Sequence, residues 1–118
     1  MLLVDDYADA VELLTQGLED AGYEVLSASN GAAALEILER VTVSVVVLDI
    51  GLPGIDGYEV ARLIRSLPKG QGVFLVALTG HGDARARRLS TEAGFDLHLV
   101  KPVDLERLAT VIAERSRH

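Results

Sequence analysis

The sequence lacks several kinds of residue, and each absence excludes a class of protein. It has no cysteine, so disulfides, zinc–thiolate sites and cysteine nucleophiles are excluded. Basic residues are few: eleven Lys and Arg against eighteen Asp and Glu give a net charge of −7, which argues against nucleic-acid binding. No apolar run approaches the ~18 residues that cross a bilayer, and Asp5-Asp6 excludes a signal-peptide core. We therefore expect a soluble, cytoplasmic protein without membrane contact.

What the sequence does contain is an alternation of short apolar runs and longer stretches of helical period. With 118 residues, 49% of them apolar, the chain is predicted to form a single domain over residues 1–118. The predicted strands are Leu2–Val4, Glu24–Ala28, Ser44–Leu48, Phe74–Leu78 and Leu97–Val100. Five helices lie between and after them, one following Asn30-Gly31, one over Asp83 to Ala93 and one after Asp104 as N-cap. This order predicts an α/β fold with a parallel sheet and helices on both faces.

Polar residues follow four of the five predicted strands. The first strand ends at Asp5-Asp6, the third at Asp49, the fourth at Thr79 and the fifth at Lys101. Ligands of open parallel sheets bind beyond the carboxyl ends of the strands. If these strands are near neighbours, three carboxylates, a hydroxyl and an ammonium meet at one edge.

Each of these residues alone has a purely structural interpretation. Asp5 or Asp6 caps a helix, Asp49 begins a turn, Thr79 is an ordinary strand exit, and Lys101 is a solvated strand end. Together they favour function, because three clustered carboxylates repel one another unless a cation offsets them. Carboxylate oxygens suit Mg²⁺, or Mn²⁺, rather than zinc. Lys101 and Thr79 would then bind phosphate oxygens, with Asp49 as the nucleophile.

At these residues the sequence closely resembles the response-regulator receiver domain of two-component signalling, along essentially its whole length. The matching motifs are Leu3-Val4-Asp5-Asp6, Val47-Leu48-Asp49-Ile50-Gly51-Leu52-Pro53-Gly54-Ile55-Asp56-Gly57, Ala77-Leu78-Thr79-Gly80 and Val100-Lys101-Pro102. The resemblance implies a flavodoxin-like, doubly wound sheet of five parallel strands in the order 2-1-3-4-5, with five helices. It also implies a phosphoacceptor that takes its phosphoryl group from a phosphohistidine on a sensor histidine kinase or a histidine phosphotransfer protein.

Roles for individual residues follow from the same resemblance. Asp49 is the implied phosphoacceptor, and Asp6 the direct metal ligand, with Asp5 acting through water and the Gly51 carbonyl as a further ligand. Thr79 and Lys101 are implied to sense the phosphate. The remaining implied features are backbone phosphate donors at Ile50 and Gly80, a cis Lys101-Pro102 bond, and His98 as the switch residue of the fifth strand.

His98 also has a structural interpretation, in which it simply packs on the fourth helix. The surface expected to change is formed by the fourth helix, the fifth strand and the fifth helix, and it is also the predicted site of partner contacts or of a homodimer. Three positions depart from the family pattern and are expected to tune the phosphate lifetime: Tyr7, Gly51 and His81.

Other function classes remain in competition with the switch. A haloacid-dehalogenase-type phosphatase also uses an aspartyl phosphate, but it needs a second carboxylate where this chain has Gly51. A docking module that never takes phosphate would be expected to lack one of the acidic or lysine positions. The chain is either a stand-alone regulator or a domain cut from a larger protein. The stretches Gly51–Arg62 and Gly94–Leu108 resemble receivers attached to hybrid sensor kinases, which keeps excision open beside the stand-alone regulator.

Overall fold

The computed structural model describes residues 1–52, 56–80 and 82–116, in which strands and helices alternate along the chain. The strands are β1 (Leu2–Val4), β2 (Leu26–Ala28), β3 (Val45–Asp49), β4 (Phe74–Thr79) and β5 (Leu97–Val100). The helices are α1 (Ala8–Asp20), α2 (Gly31–Arg40), α3 (Gly57–Ser66), α4 (Ala84–Ala93) and α5 (Leu105–Ser116), with a short 3-10 helix at Pro68–Gly70. The predicted sequence of elements is confirmed, and only the 3-10 helix was not predicted.

All neighbouring strands pair in parallel, and their order across the sheet is β2-β1-β3-β4-β5. This is the flavodoxin-like topology that the family resemblance implies. Because consecutive side chains of a strand point to opposite faces, the apolar strands contribute to two separate cores. Leu3 and Val47 pack with α1 and α5 on one face, whereas Val4 and Leu48 pack with α2 and α3 on the other. The almost uninterrupted apolar runs of β3 and β4 are therefore explained by burial on both faces.

Four strand boundaries differ from the prediction because pairing partners set them. β2 begins at Leu26 rather than Glu24, since β1 starts at Leu2, which is the ladder partner of Leu26. β3 begins at Val45 rather than Ser44 and ends at Asp49 rather than Leu48, because its ladder with β4 runs from Val45 opposite Phe74 to Asp49 opposite Leu78. β4 likewise includes Thr79, which lies opposite Val100.

Side chains cap most of the helices at their amino ends. Asn30, Asp56 and Asp83 each accept a hydrogen bond from the backbone N–H three residues later, at 2.8 to 2.9 Å. Asp104, predicted as the cap of α5, accepts from the Arg107 N–H at 3.2 Å. These bonds satisfy donors that the helix itself leaves free. Within residues 1–52, 56–80 and 82–116, no helix combines the length and apolar character needed to cross a membrane.

Candidate functional site

Three carboxylates meet at the carboxyl edge of the sheet. Asp5 and Asp6 directly follow β1, and Asp49 is the last residue of β3, the strand that pairs with β1. One oxygen from each of the three carboxylates lies within 4.8 Å of the other two. Asp5 and Asp49 are buried, whereas Asp6 is exposed. The predicted convergence of these side chains is confirmed.

Lys101 provides the positive charge of this cluster. Its Nζ lies 3.0 Å from Oδ2 of Asp49 and 4.0 Å from Oδ2 of Asp5, so only the first contact is a hydrogen-bonded ion pair. The Lys101 N–H donates to the carbonyl of Thr79 at 2.8 Å, which holds this residue at the end of the sheet. The Lys101-Pro102 peptide bond is cis, as predicted.

The second oxygen of Asp49 is held by the loop that follows β3. Its Oδ1 accepts a hydrogen bond from the Gly51 N–H at 3.0 Å. The Ile50 N–H instead donates to the carbonyl of Leu78 at 2.9 Å, because Ile50 continues the ladder with β4. The N–H that faces the carboxylate in this structure therefore belongs to Gly51, and phosphate donation by the Ile50 N–H stays a prediction.

Asp5 is the less satisfied of the two buried carboxylates. Its Oδ1 accepts from the Tyr7 N–H at 3.0 Å, but its buried Oδ2 has no hydrogen-bond donor among the described residues. Tyr7 is the N-cap of α1 and no side chain caps that helix, so neither Asp5 nor Asp6 has the capping role. Burial, assisted by the nearby Asp49 charge, raises the pKa of Asp5 against the opposing effects of the Tyr7 N–H and Lys101.

The donor set of this cluster fits a hard divalent cation. Within the described part of the chain, three carboxylates lie together with a single ammonium, and a buried oxygen of Asp5 has no hydrogen-bond partner. Carboxylate oxygens are the ligands that Mg²⁺ prefers, and a buried charge without a partner is costly. A divalent cation beside Asp5 and Asp6 would therefore satisfy both the charge and the free oxygen.

The predicted sensing residues lie on β4 and β5. Thr79 is buried at the end of β4, one residue beyond the ladder partner of Asp49. His98 lies on β5, with its Nδ1 2.9 Å from the hydroxyl of Ser90 on α4, and the two groups share a hydrogen bond. This contact matches the structural interpretation of His98. Ser90, only 1% exposed, was not identified from the sequence because serine in a helix gives no distinctive signal.

Two predicted features are not tested by the structure. Gly80 is exposed at the end of β4, and its proposed role as a backbone phosphate donor stays a prediction. The motif residues Pro53, Gly54 and Ile55, and also His81, lie outside the described residues.

An open cleft gives access to Asp49. It has a volume of about 490 Å³ and lies between α1 and the segment that follows β5. Asp49 is only 6% exposed, yet it lines this cleft together with Lys101. Apolar side chains form much of the remaining wall, including Tyr7, Leu13 and Val103. A phosphate-sized group can therefore approach the carboxylate from solvent.

The fold and this edge of the sheet define a class of protein: an α/β domain with a cluster of aspartates and a lysine at its carboxyl edge. The model of the response regulator receiver domain family matches residues 1–113. The chain belongs to this family, which is the CheY-like receiver domain of two-component signalling.

Individual relatives support this assignment. The chain is 37% identical to an uncharacterized 14.6 kDa protein of Leptolyngbya boryana, over 97% of this chain and 87% of that protein. It is 36% identical to a segment of the sensor histidine kinase GacS of Pseudomonas protegens, over 95% of this chain but only 12% of the kinase. The chain is thus homologous to the receiver domains of sensor kinases and spans a small part of such a protein.

A solved structure shows the same architecture. The receiver domain of a sensor histidine kinase from Pseudomonas aeruginosa PAO1, which has a magnesium ion coordinated in its active site cleft, superposes with a TM-score of 0.88 at 29% identity. The match covers 96% of this chain and 93% of that domain.

Proposed function

We propose that residues 1–118 form one receiver domain that acts as a phosphorylatable switch in a two-component or phosphorelay system. Asp49 accepts the phosphoryl group from a phosphohistidine of a sensor histidine kinase or a histidine phosphotransfer protein. The observation that carries this proposal is the Asp49 carboxylate at the base of an open cleft, bonded to Lys101 at 3.0 Å and lying beside the unpartnered oxygen of Asp5.

The residues of the chain supply positioning and charge for the transfer. An oxygen of Asp49 forms the new bond to phosphorus, while the bond from phosphorus to the donor imidazole nitrogen breaks and its electron pair stays on that nitrogen. Lys101 is close enough to shift from the carboxylate to the transferred phosphoryl oxygens. The Gly51 N–H, which already donates to Asp49, fixes the orientation of the carboxylate. Phosphoryl transfer depends mainly on such positioning and electrostatic stabilisation.

Mg²⁺, or Mn²⁺ in its place, would be held by Asp6, Asp49 and the Gly51 carbonyl, with Asp5 acting through water. When bound, the ion supplies positive charge that offsets the oxygens of the phosphoryl group. Asp5 contributes a buried, negatively charged wall that makes the site selective for a cation.

The phosphate is expected to change the surface formed by α4, β5 and α5. A phosphoryl group adds about −1.5 to −2 charge close to Thr79, whose hydroxyl can donate to it. Movement of Thr79 alters the space behind β4. His98 on the adjacent strand then breaks its hydrogen bond to Ser90 and moves to a new position. The same surface is proposed for partner contacts or for a homodimer.

The competing activities receive less support. A phosphatase of the haloacid-dehalogenase type needs an acid two residues beyond the nucleophile, where this chain has Gly51. A docking module that is never phosphorylated would not need a cluster of carboxylates in which Oδ2 of Asp5 has no hydrogen-bond donor among the described residues. We therefore propose a signalling domain of the cytoplasm, not an enzyme with turnover of its own.

The direct test is phosphoryl incorporation on Asp49. Intact-mass spectrometry of the chain, incubated with Mg²⁺ and a small phosphodonor, is expected to show one added phosphoryl group. Asp49→Asn should remove it, because the amide cannot act as the nucleophile, and withholding Mg²⁺ should reduce it strongly. The matched control is Asp20→Asn, which removes an exposed carboxylate at the end of α1.

Equal incorporation into Asp49→Asn and the unchanged chain would contradict the proposal. Transfer from a phosphohistidine-bearing kinase domain, followed in the same way, tests the proposed donor class separately. Turnover of a phosphate ester by the chain would instead favour the phosphatase.

A further inference from the structure

Tyr7 is an aromatic residue that the packing of the fold does not explain. Each of the other four aromatic residues of the chain lies in, or packs against, one of the two apolar cores: Tyr23, Tyr58, Phe74 and Phe95. Tyr7 belongs to neither core, and it is 63% exposed. An aromatic side chain stabilises a fold through the surface that it buries, and this one buries little. The position of its ring therefore needs another explanation.

The main chain holds Tyr7 beside the cleft that leads to Asp49. Its N–H donates to Oδ1 of Asp5 at 3.0 Å, and its carbonyl accepts from the N–H of Val11 on α1 at 3.1 Å. These two bonds fix the backbone of Tyr7, while its exposed side chain is free to change rotamer. The ring can therefore adjust to a group that enters the cleft, without any movement of the backbone around the carboxylates.

Burial divides the residues that line this cleft into a base and a rim. Asp49 and Leu78 are buried and form the base, whereas Tyr7 and Leu13 are exposed and form the rim. Phosphoryl transfer places the attacking oxygen, the phosphorus and the leaving atom roughly in line. The leaving group of a donor that reacts with Asp49 must therefore lie on the solvent side of the phosphoryl group, where the rim residues can contact it.

Tyr7 has the one aromatic ring among the described residues that line the cleft. Aromatic rings attract one another in offset or edge-to-face arrangements, and the negative face of a tyrosine ring attracts cations. The leaving group of a phosphohistidine donor is an imidazole, which is aromatic and becomes positively charged when it is protonated. Leu13 and Val103 supply aliphatic surface to the cleft, and such surface does not distinguish an aromatic leaving group from another apolar one.

We propose that Tyr7 makes this domain selective for phosphodonors with an aromatic leaving group, through contact between its ring and the imidazole. The proposal rests on the proposed phosphorylation of Asp49 and adds a determinant of donor choice to it. In the transfer, an oxygen of Asp49 forms the bond to phosphorus and the phosphorus–nitrogen bond breaks, with its electron pair staying on the nitrogen. Protonated phosphoimidazole thus releases neutral imidazole, and protonated phosphoramidate releases ammonia. Tyr7 takes no part in these bond changes and acts on specificity alone.

The experiment compares two small donors that differ in the leaving group, phosphoimidazole and phosphoramidate. Intact-mass spectrometry of the full chain with Mg²⁺ gives the rate constant of phosphoryl incorporation for each donor. Tyr7→Leu should lower the ratio of the phosphoimidazole rate constant to the phosphoramidate rate constant about fivefold, because it keeps an apolar side chain but removes the ring. Tyr7→Phe keeps the ring and should retain the wild-type ratio. Leu26→Ala removes an exposed side chain outside the cleft and should leave both rate constants unchanged.

The outcomes separate this inference from the proposed function. If Asp49 is phosphorylated but Tyr7→Leu keeps the wild-type ratio, the inference is wrong and the switch stands. A fall of both rate constants by the same factor in Tyr7→Leu would also overturn the inference, since it would show a general change of the site, and so would an equal fall of the ratio in Tyr7→Phe. If neither donor phosphorylates the wild-type chain, the switch fails and the selectivity fails with it. Circular dichroism confirms that each variant is folded.

Discussion

Charged side chains cluster at both ends of the parallel sheet, but only at the amino end are their hydrogen bonds and charges satisfied. At the amino end of β4 and β5, the Arg65 guanidinium donates to the carbonyls of Gly70, Val73 and Gly94 at 2.8 to 3.0 Å. It also pairs with the Asp96 carboxylate at 2.8 Å. This single side chain thereby joins the end of α3, the entry to β4 and the turn before β5, and nearly every donor it has is used.

At the carboxyl end the charges do not match. Asp5, Asp6 and Asp49 lie together. Among the residues that the structure describes, Lys101 is the one cation within 4.0 Å of Asp49, and Oδ2 of Asp5 has no donor. A satisfied polar cluster stabilises a fold, whereas an unsatisfied one is retained at a cost that function explains. This difference indicates a structural role for the amino edge and supports the ligand site proposed at the carboxyl edge.

The largest effect is expected from removing the Arg65 guanidinium at the amino edge of the sheet. Arg65→Met should lower the free energy of unfolding by about 2–4 kcal/mol, because several carbonyls and Asp96 lose a charged donor together. Urea unfolding measures this. Arg62→Met on the same helix is the control and should cost about 0–1 kcal/mol, since the exposed Glu59 is the one ion-pair partner of Arg62 among the described residues. Equal losses in the two variants would contradict the structural role of Arg65.

The sequence predicts the side chains of the carboxyl edge better than those of the amino edge. Asp5, Asp49 and Lys101 follow predicted strands, so strand order alone brings them together. Arg65 gives no comparable signal, because most of its partners are main-chain carbonyls up to 29 residues away. Any residue type supplies a carbonyl, and only the folded loops decide where it points.

Finer features of the site depend on local backbone geometry in the same way. Which N–H faces Asp49 is decided by the last ladder bond, which takes the N–H of Ile50 and leaves that of Gly51. The contact of His98 with Ser90 depends on how α4 packs against β5. Periodicity predicts that a helix is present and which face is apolar, but it does not specify such side-chain pairs.

A smaller effect, and one of opposite sign, is expected at the unsatisfied edge. Asp5→Asn should raise the free energy of unfolding at neutral pH by about 1–3 kcal/mol, because it removes a buried charge whose Oδ2 has no donor among the described residues. The raised pKa of Asp5 means that folding favours its protonated form, so the wild-type chain loses stability as pH rises through that pKa. The stability that Asp5→Asn gains over the wild-type chain should therefore shrink towards zero at pH values below the ordinary pKa of an aspartate.

Measuring the thermal unfolding temperature with and without Mg²⁺ tests whether the stability lost by burying the Asp5 charge is explained by a cation site. The ion should stabilise the wild-type chain and do so much less in Asp5→Asn, since the variant has lost one carboxylate of the cluster. Asp20→Asn, which changes an exposed aspartate far from the cluster, should show no difference from wild type. A destabilised Asp5→Asn at neutral pH would show that the charge is already satisfied.

The smallest effect is expected from filling space at the open edge. A Cβ at Gly51 would lie 3.7 Å from Oδ1 of Asp49, an ordinary contact, whereas one at Gly70 would overlap the Ile64 carbonyl oxygen. Neither glycine has the positive φ that would itself forbid a side chain. Gly51→Ala should thus change stability by less than about 0.5 kcal/mol and keep phosphoryl incorporation, while Gly70→Ala costs about 1–3 kcal/mol. Urea unfolding measures the stability of each variant, and intact-mass spectrometry measures its phosphoryl incorporation. If Gly51→Ala were as unstable as Gly70→Ala, the carboxyl edge would be as closely packed as the amino edge.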